Sequence, residues 1–298
     1  MTKCDFVHFE PRSVFWMRGV LHHLIVALKR GGRNDPPYRL CAFPNDVIGR
    51  DIALTGTYEG AGIAAIEWLC DEGVIENPAA SAFLDIGANI GVYTVSVGAR
   101  FARVLAFEPH PVIGRVLALN VEINNVSNVD QLHYGLSDKD ATAQLWEGDA
   151  DNFGASSIER GVGGGRHYAI PLRSASTAVR EATDLPVALV KMDVEGHEPK
   201  VIAGLAGLLA EQHPVVAFEA NDPVHNEGLL TQLRRLGYSD FMALDYSPAV
   251  PWFWLHVAMR TLFGARTRLR PVSSLEGKRY SMVFAFSHHL GKRFPAFA

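Results

Sequence analysis

The feature of this sequence that most restricts its fold is an alternation, beginning near residue 80, of short apolar runs with segments of helical periodicity. Residues 111–124 and 197–212 place apolar side chains three or four positions apart, as amphipathic helices do. The apolar runs are short and are typical of buried strands. The sequence therefore predicts a mainly parallel α/β sheet of seven strands, over residues 81–87, 103–108, 129–134, 187–193, 215–219, 238–244 and 279–287.

Composition and charge are those of an ordinary globular protein. Of the 298 residues, 48% are hydrophobic and 20% are charged, and the net charge of −4 argues against nucleic acid as the main partner. The three cysteines are far apart, which predicts neither a disulfide framework nor a structural zinc site. The first residues do not resemble a secretory signal, and no apolar run reaches the roughly 18 residues of a membrane span. We therefore expect a cytoplasmic protein.

The strongest local signal is a strand that runs directly into a glycine turn and a helix, in FLDIGANIGVYT at residues 83–94. Gly87 and Gly91 allow the backbone to approach a ligand closely, and the helix that follows offers free N–H groups. The dinucleotide fingerprint G-x-G-x-x-G is absent, because Ala88 and Asn89 follow Gly87. Asp85 would repel a pyrophosphate but tolerate ammonium and sulfonium charge. The motif therefore favours S-adenosylmethionine over NAD.

Glu108 ends the second predicted strand, where an acidic side chain can accept hydrogen bonds from both hydroxyls of a ribose. NAD sites and S-adenosylmethionine sites share this feature, so Glu108 alone does not distinguish them. In a purely structural alternative, Glu108 caps the turn before Pro109.

Asp193, Glu195 and His197 follow the fourth predicted strand, at the edge where open α/β sheets bind ligands. Each is a candidate to accept the proton of an alcohol. His197 has the ordinary pKa closest to neutrality, about 6.5. In the alternative interpretation, His197 and Glu198 only begin a helix, and Asp193 alone faces the site.

A metal site is a less favoured alternative at the same edge. Asp193, Glu219 and Asn221 offer oxygen ligands that suit Mg²⁺. Catechol O-methyltransferase and its relatives have an adjacent acid and amide at this point, whereas here one residue separates Glu219 from Asn221.

Five segments together resemble the FkbM family of S-adenosylmethionine-dependent methyltransferases, and the resemblance extends over about residues 45–220. It implies a Rossmann-like class I methyltransferase fold with a reversed last strand. It also implies O-methylation of a hydroxyl on a sugar, a glycolipid or a polyketide-type natural product. DVEGHE is the most specific element. The segments are FLDIGANIGVYT (83–94), VLAFEPHP (104–111), GLSDKD (135–140), NFGASSI (152–158) and LVKMDVEGHEPKVIAGL (189–205).

The resemblance also implies a set of cofactor residues and a domain division. Residues 80–298 would form the catalytic domain, and residues 1–79 a helical cap. The cofactor residues would be Asp85, Gly87 and Gly91 around the methionine half, Asn89 in the same turn, Glu108 at the ribose, Ser137 and Asp138 beside the adenine, and Tyr58 and Glu59 as a cover from the cap.

Three further segments have open interpretations. The glycine-rich stretch 160–168 is either a surface loop or a substrate lid. The aromatic and basic insertion at 245–278 is a hydrophobic lid, an interfacial contact through 247–270 or ordinary packing. Residues 256–298 carry eight basic side chains against one acidic side chain, which indicates a solvated face or a contact with an anionic acceptor or lipid headgroup.

Two other functions remain compatible with the sequence. One is an NAD-dependent oxidoreductase, which the missing G-x-G disfavours. The other is a catalytically inactive scaffold of the same fold that binds the cofactor or associates with a membrane, which the intact Asp85, Glu108, Asp193 and His197 disfavour.

Overall fold

The computed structural model describes residue 20 and residues 38–44, 46–147, 156–158, 166–221, 226–247, 266–277 and 279–287. The helices within these ranges are α1 (Val47–Thr55), α2 (Gly60–Asp71), α3 (Val92–Val97), α4 (Ile113–Ile123), α5 (Ala175–Ala182), α6 (Glu198–Gln212) and α7 (Asn226–Arg235). The strands are β1 (Ala82–Ile86), β2 (Arg103–Phe107), β3 (Val129–Leu132), β4 (Gly135–Ser137), β5 (Ala141–Trp146), β6 (His167–Ser174), β7 (Val187–Met192), β8 (Val215–Ala220), β9 (Asp240–Ser247), β10 (Arg266–Pro271) and β11 (Tyr280–Phe286).

The main sheet has the strand order β10-β9-β11-β8-β7-β1-β2-β3. Its pairs from β8 to β3 are parallel, whereas β11 runs antiparallel to both β8 and β9. This is the Rossmann-like arrangement of class I methyltransferases. The reversed last strand, β11, lies between β8 and β9, which are the fifth and sixth of the seven predicted strands. All seven predicted strands are present, so the predicted fold is confirmed.

An eighth strand extends this sheet. β10 pairs antiparallel with β9, and it lies in the segment that the sequence suggested as part of a lid or interfacial insertion. Arg268 and Arg270 are exposed, whereas Thr267 and Leu269 are half-buried, as expected for a strand at a sheet border. Residues 248–265, which contain the aromatic cluster of that insertion, lie outside the described residues.

A second, three-stranded sheet of order β4-β6-β5 was not predicted. β5 and β6 pair antiparallel, and Leu145, Ile170 and Leu172 form the apolar cluster of this sheet. β6 begins at His167, so the end of the stretch 160–168 is a strand and not a loop. Residues 159–165 lie outside the described residues.

The central strands are buried on both faces, because helices cover both sides of the sheet. All five residues of β1 are buried. On one face, Ile63 and Ile66 of α2 pack in the same core cluster as Phe83 of β1. Each such large apolar side chain contributes about 1.5–3 kcal/mol when fully buried. The residues of α2 therefore share a core with the sheet.

A search of the helices in these described ranges finds none with the length and apolar character that a membrane crossing requires.

Candidate active site

The turn after β1 lies against the end of β7, and two glycines allow this close packing. A Cβ atom on Gly87 would come within 1.9 Å of the carbonyl oxygen of Asp193, and one on Gly91 within 2.4 Å of Leu117 Cδ1. Both glycines have φ in the left-handed region, at 73° and 85°. The backbone N–H of Gly87 also donates to the carbonyl of Phe107, at 3.0 Å. The predicted glycine turn therefore joins the carboxyl ends of β1, β2 and β7.

Glu108 lies in this joint and organises it. Its carboxylate accepts the backbone N–H groups of Asn89, at 2.9 Å, and of His110, at 2.8 Å. Burial raises the pKa of Glu108 to about 7, although these two hydrogen bonds lower it. Glu108 therefore holds the turn around Pro109 as well as bordering the site. A carboxylate has about four lone-pair positions, so two remain for a ligand.

Glu108 borders an apolar chamber, which has Phe107 and Ile113 on one side and Leu145, Ile170 and Leu172 of the second sheet on the other. The second sheet thus builds one wall of the candidate site. A largely apolar wall with the Glu108 carboxylate at its border suits a flat heterocycle carrying a diol.

A second chamber, the acid chamber, adjoins the first and shares Asn89, Asp193 and Glu195 with it. Its volume is about 160 Å³. Its other polar lining residues are Tyr58, Glu59, Tyr93, Lys191, Glu219 and Asn221. The carboxylate oxygens of Asp193, Glu195 and Glu219 all lie within 4.8 Å of one another.

Lys191 is the one cation among the described lining residues of the acid chamber. It is only 4% exposed. Its Nζ atom lies 3.5 Å from Asp193 Oδ2 and 3.9 Å from Asp85 Oδ1. It also lies 3.4 Å from the carbonyl oxygen of Gly87 and 5.1 Å from the ring centroid of Tyr93. Burial lowers the pKa of Lys191, but the negative charges of Asp193 and Asp85 raise it by more than burial lowers it. The ammonium group therefore stays charged.

Glu219 and Glu59 hold protons more tightly than usual. Burial and the charge of Asp193 raise the pKa of Glu219 to about 9. Burial and Asp193 also raise the pKa of Glu59 to about 7, while Lys191 lowers it. Like charges at this separation oppose simultaneous ionisation.

Four of the predicted cofactor residues take other positions. Asp85 is fully buried behind the turn, where it accepts a 2.6 Å hydrogen bond from Thr94 Oγ1 and pairs with Lys191, and it lines neither chamber. Gly91 packs against Leu117 and lines neither chamber. Ser137 is buried and donates to the exposed Asp138. Asp85, Gly91 and Ser137 therefore act on the site only indirectly, through their contacts with the protein. Gly87, Asn89, Glu108, Tyr58 and Glu59 do line the chambers.

The three candidate proton acceptors differ in placement. Asp193 and Glu195 line both chambers, so the interpretation in which Asp193 alone faces the site is wrong on this point. His197 lines only the apolar chamber and lies 3.1 Å from Ser137 Oγ. It directly precedes α6, and Glu198 accepts the N–H groups of Val194 and Gly196. That part of the alternative interpretation, in which His197 and Glu198 begin a helix, is confirmed.

Of the three oxygen ligands considered for a metal, Asp193 and Glu219 lie close together, and Asn221 does not join them as a free ligand. Glu195 joins Asp193 and Glu219, whereas the amide nitrogen of Asn221 donates to Glu219 Oε1. The three carboxylates have the spacing that a divalent cation requires. Lys191 already supplies a positive charge beside Asp193.

Sequence reasoning missed Lys191 and Tyr93 as site residues. A lysine within the apolar strand VALVKMD is itself a signal, because lysine is almost never buried without a partner. Its partner follows from strand register, since Asp85 is opposite Lys191 in the β1–β7 pair.

Comparison with known proteins gives consistent results. A profile of the methyltransferase FkbM domain matches residues 85–239. The chain is similar to Methyltransferase sdnD of Sordaria araneosa, at 29% identity over 153 residues, which are 41% of this chain and 59% of the relative. It is similar to Methyltransferase 1 of Beauveria bassiana (strain ARSEF 2860), at 29% identity over 148 residues, which are 43% of this chain and 59% of the relative. The chain thus spans less than two thirds of the length of these relatives.

Among solved structures, the chain is similar to the crystal structure of methyltransferase FkbM from Methylobacillus flagellatus KT. The TM-score is 0.41 at 13% identity, with 91% of this chain and 60% of that chain covered.

Proposed function

The chain belongs to the FkbM methyltransferase family, and on this premise we propose that it transfers a methyl group from S-adenosylmethionine to a hydroxyl group. The acceptor would be a sugar, a glycolipid or a polyketide-type natural product. The observation that carries the proposal is the pair of adjoining chambers, one apolar and bordered by Glu108, the other lined by carboxylates, with Asp193 and Glu195 between them.

The residues present fit the cofactor. The apolar chamber and Glu108 suit the adenosine half, and Asn89 connects that chamber with Tyr58 and Glu59, which suit the amino-acid half. The hydroxyl of Tyr93 is buried without a hydrogen-bond partner of standard geometry among the described residues, so it is available to a ligand. When bound, the cofactor supplies a methyl group on a positively charged sulfur.

Asp193 and Glu195 are the residues that would hold the acceptor hydroxyl and accept its proton. They lie where both chambers meet, and Lys191 Nζ lies 3.5 Å from Asp193 Oδ2. His197 would position the turn through Ser137 and not remove the proton itself.

A small-molecule, glycan or lipid acceptor is supported better than nucleic acid. The acid chamber would repel a phosphate backbone, and the chain as a whole has a net charge of −4.

Calorimetric titration with S-adenosylmethionine and, separately, with NAD tests the cofactor assignment without knowledge of the acceptor. We expect S-adenosylmethionine alone to bind. Binding of NAD alone would overturn the proposal in favour of an oxidoreductase, and binding of neither would favour an inactive scaffold.

A screen with radiolabelled cofactor then tests the acceptor class. The screen offers matched acceptors that differ only in a hydroxyl or an amine, with and without a chelator. We expect label on hydroxyl acceptors and no effect of the chelator. Label on amines alone would contradict O-methylation, and loss of labelling with chelator would favour the metal alternative.

A further inference from the structure

We propose that Asn120 is a positioning residue that couples the glycine turn of the site to residues 38–42, here called the strap, so that docking of the strap and binding of the cofactor favour each other. The inference rests on the proposed function. It gives a role in that function to a side chain that lines neither chamber.

Asn120 holds two separate parts of the chain at once. It lies on α4 and is fully buried. Its side-chain amide donates to the carbonyl oxygen of Ile90, at 2.7 Å, and to that of Cys41, at 3.1 Å. Its side-chain oxygen accepts the backbone N–H of Cys41, at 2.7 Å. One side chain therefore connects the glycine turn, through Ile90, with the strap, through Cys41.

The bond to Ile90 fixes the part of the turn that lines the site. Asn89, which directly precedes Ile90, lines both chambers and has φ in the left-handed region, at 52°. A residue other than glycine keeps this conformation where neighbouring contacts hold it. Glu108 accepts the N–H of Asn89 on one side, and Asn120 binds the carbonyl oxygen of Ile90 on the other. Release of Ile90 should therefore loosen Asn89.

A second asparagine grips the strap in the same way. Asn124, at the end of α4, accepts the N–H of Arg39 and donates to the carbonyl oxygen of Arg39, both at 2.7 Å. Four residues of a helix rise about 6 Å and two residues of an extended chain about 6.6 Å, so the two asparagines match strap residues two positions apart. The strap belongs to no described helix or strand, and these side chains take the place of a partner strand.

The strap also packs on the turn through its apolar side chains. Tyr38 and Leu40 are half-buried and pack against the core cluster that contains Ala88 of the turn. Arg39 and Cys41, which alternate with them, are exposed. The asparagines therefore set the position of the strap through its backbone, while its side chains cover the turn from outside.

The strap reaches a second side of the site through Tyr38. The hydroxyl groups of Tyr38 and Thr57 share a hydrogen bond of 2.6 Å. Thr57 directly precedes Tyr58 and Glu59, which line the acid chamber. The strap itself lines neither chamber. It therefore links the turn with Tyr58 and Glu59 from behind the site.

These contacts make the docked strap and the bound cofactor mutually favourable. A docked strap holds the turn, Tyr58 and Glu59 where they line the chambers, so a ligand in the chambers favours the docked state. Coupling of this kind is reciprocal: a bound ligand should slow opening of the strap, and release of the strap should weaken binding. A side chain with a structural role alone would stabilise the fold without linking the two events.

Amide hydrogen exchange of the strap, with and without saturating S-adenosylhomocysteine, tests the coupling. This ligand has a neutral sulfur and binds without any methyl transfer. We expect it to slow exchange of the Arg39 and Cys41 amides of the wild type by about fivefold or more. The amides of Val74 and Ile75, which donate to Leu69 and line neither chamber, are the internal reference and should slow less.

Asn120→Ala should remove this slowing and weaken the binding of S-adenosylmethionine and S-adenosylhomocysteine by about tenfold, as measured by calorimetry. Asn128→Ala is the matched control. The amide of Asn128 also donates to two backbone carbonyls, of Gly98 at 3.0 Å and of Phe101 at 2.7 Å, but it does not contact the strap. Asn128→Ala should keep both the slowing and the affinity of the wild type.

Asn124→Ala keeps the test decisive if Asn120→Ala does not fold. It releases Arg39 and leaves the bond between Asn120 and Ile90 in place. We expect the Arg39 amide to exchange faster and both ligands to bind a few-fold more weakly than in the wild type.

The inference would be overturned if bound ligand slowed the strap amides no more than the reference amides. It would equally be overturned if Asn120→Ala, or Asn124→Ala in its place, bound both ligands as tightly as Asn128→Ala. Either result would leave the proposed function intact. Binding of neither ligand by the wild type would overturn the proposed function, and this inference with it.

Discussion

The two chambers of the candidate site are built in opposite ways. Side chains of two packed sheets form the apolar chamber, with Glu108 at its border, whereas carboxyl groups from several chain segments converge on a single lysine in the acid chamber. The first recognises shape and buried apolar area, and the second recognises charge. Substitutions in the apolar chamber should therefore weaken the binding of charged and uncharged forms of a cofactor by the same factor. Substitutions in the acid chamber should change the two affinities by different factors.

The largest expected effect comes from Lys191→Met, which removes the cation that the acid chamber depends on. Asp85 and Asp193 would lose their buried partner, and breaking such a pair typically costs about 3–5 kcal/mol. Urea unfolding measures the change in the free energy of unfolding. Lys139→Met, at an exposed turn, is the control. If the free energy of unfolding falls no more than in the control, the carboxyl groups are neutral because they hold protons, and they do not depend on Lys191.

Glu108→Gln tests the apolar chamber. The amide keeps the shape of the side chain but loses the charge that strengthens its hydrogen bonds, so we expect S-adenosylmethionine and S-adenosylhomocysteine to bind more weakly by the same factor, about tenfold or more. Calorimetry measures both affinities, and Glu122→Gln at an exposed position of α4 is the control. A selective loss of S-adenosylmethionine would break the division of roles between the chambers.

The pH dependence of stability tests the acid chamber through Glu219. In the folded protein, Glu219 keeps its proton up to about pH 9, whereas an unfolded chain releases it near about pH 4.3. The folded state therefore binds more protons across this interval, and the free energy of unfolding falls as pH rises through it. Below about pH 4.3 both states are protonated and this contribution is complete.

Thermal unfolding at about pH 6 and about pH 9 measures that decline. We expect Glu219→Gln to lose less stability than the wild type between the two, because the amide does not titrate. Saturating S-adenosylmethionine should reduce the decline in the wild type. Identical declines in the wild type and in Glu219→Gln would contradict the raised pKa of Glu219.

The smallest expected effect belongs to His197→Ala. Because His197 contacts Ser137 and lines only the apolar chamber, its loss should weaken binding of both cofactor forms by a few-fold and leave their affinity ratio unchanged. Unchanged affinities together with abolished methyl transfer would instead identify His197 as the proton acceptor.

Much of the fold was predictable because buried parallel strands appear as continuous apolar runs. AFLDI and VVAFEA occupy central positions of the sheet, and no other element accommodates such runs as well. β5 and β6 were missed because their residues alternate between a polar face and an apolar face, and β10 was missed because RTRLRP has few apolar residues and exposes Arg268 and Arg270 at a border.

The site was predictable only in part, for a related reason. Glu108, Asp193 and Glu195 follow strands directly, so topology alone places them at one edge of the sheet. The position of Lys191 depends on the register between β1 and β7, and the role of Asp85 depends on Thr94 and Lys191 occupying its carboxylate. The spacing of residues along the sequence does not reveal contacts between residues that are far apart in it.

The eighth strand has a consequence for solubility. A strand at the border of a sheet exposes unpaired backbone groups that invite a second copy to continue the sheet. β10 is that border, and it exposes Arg268 and Arg270 before ending at Pro271, which lacks a backbone N–H. If the β10 strands of two copies paired, their arginines would bring like charges together. Pro271 would also have no backbone N–H to donate to the other copy. The strand therefore protects the sheet against edge-to-edge aggregation in a crowded solution.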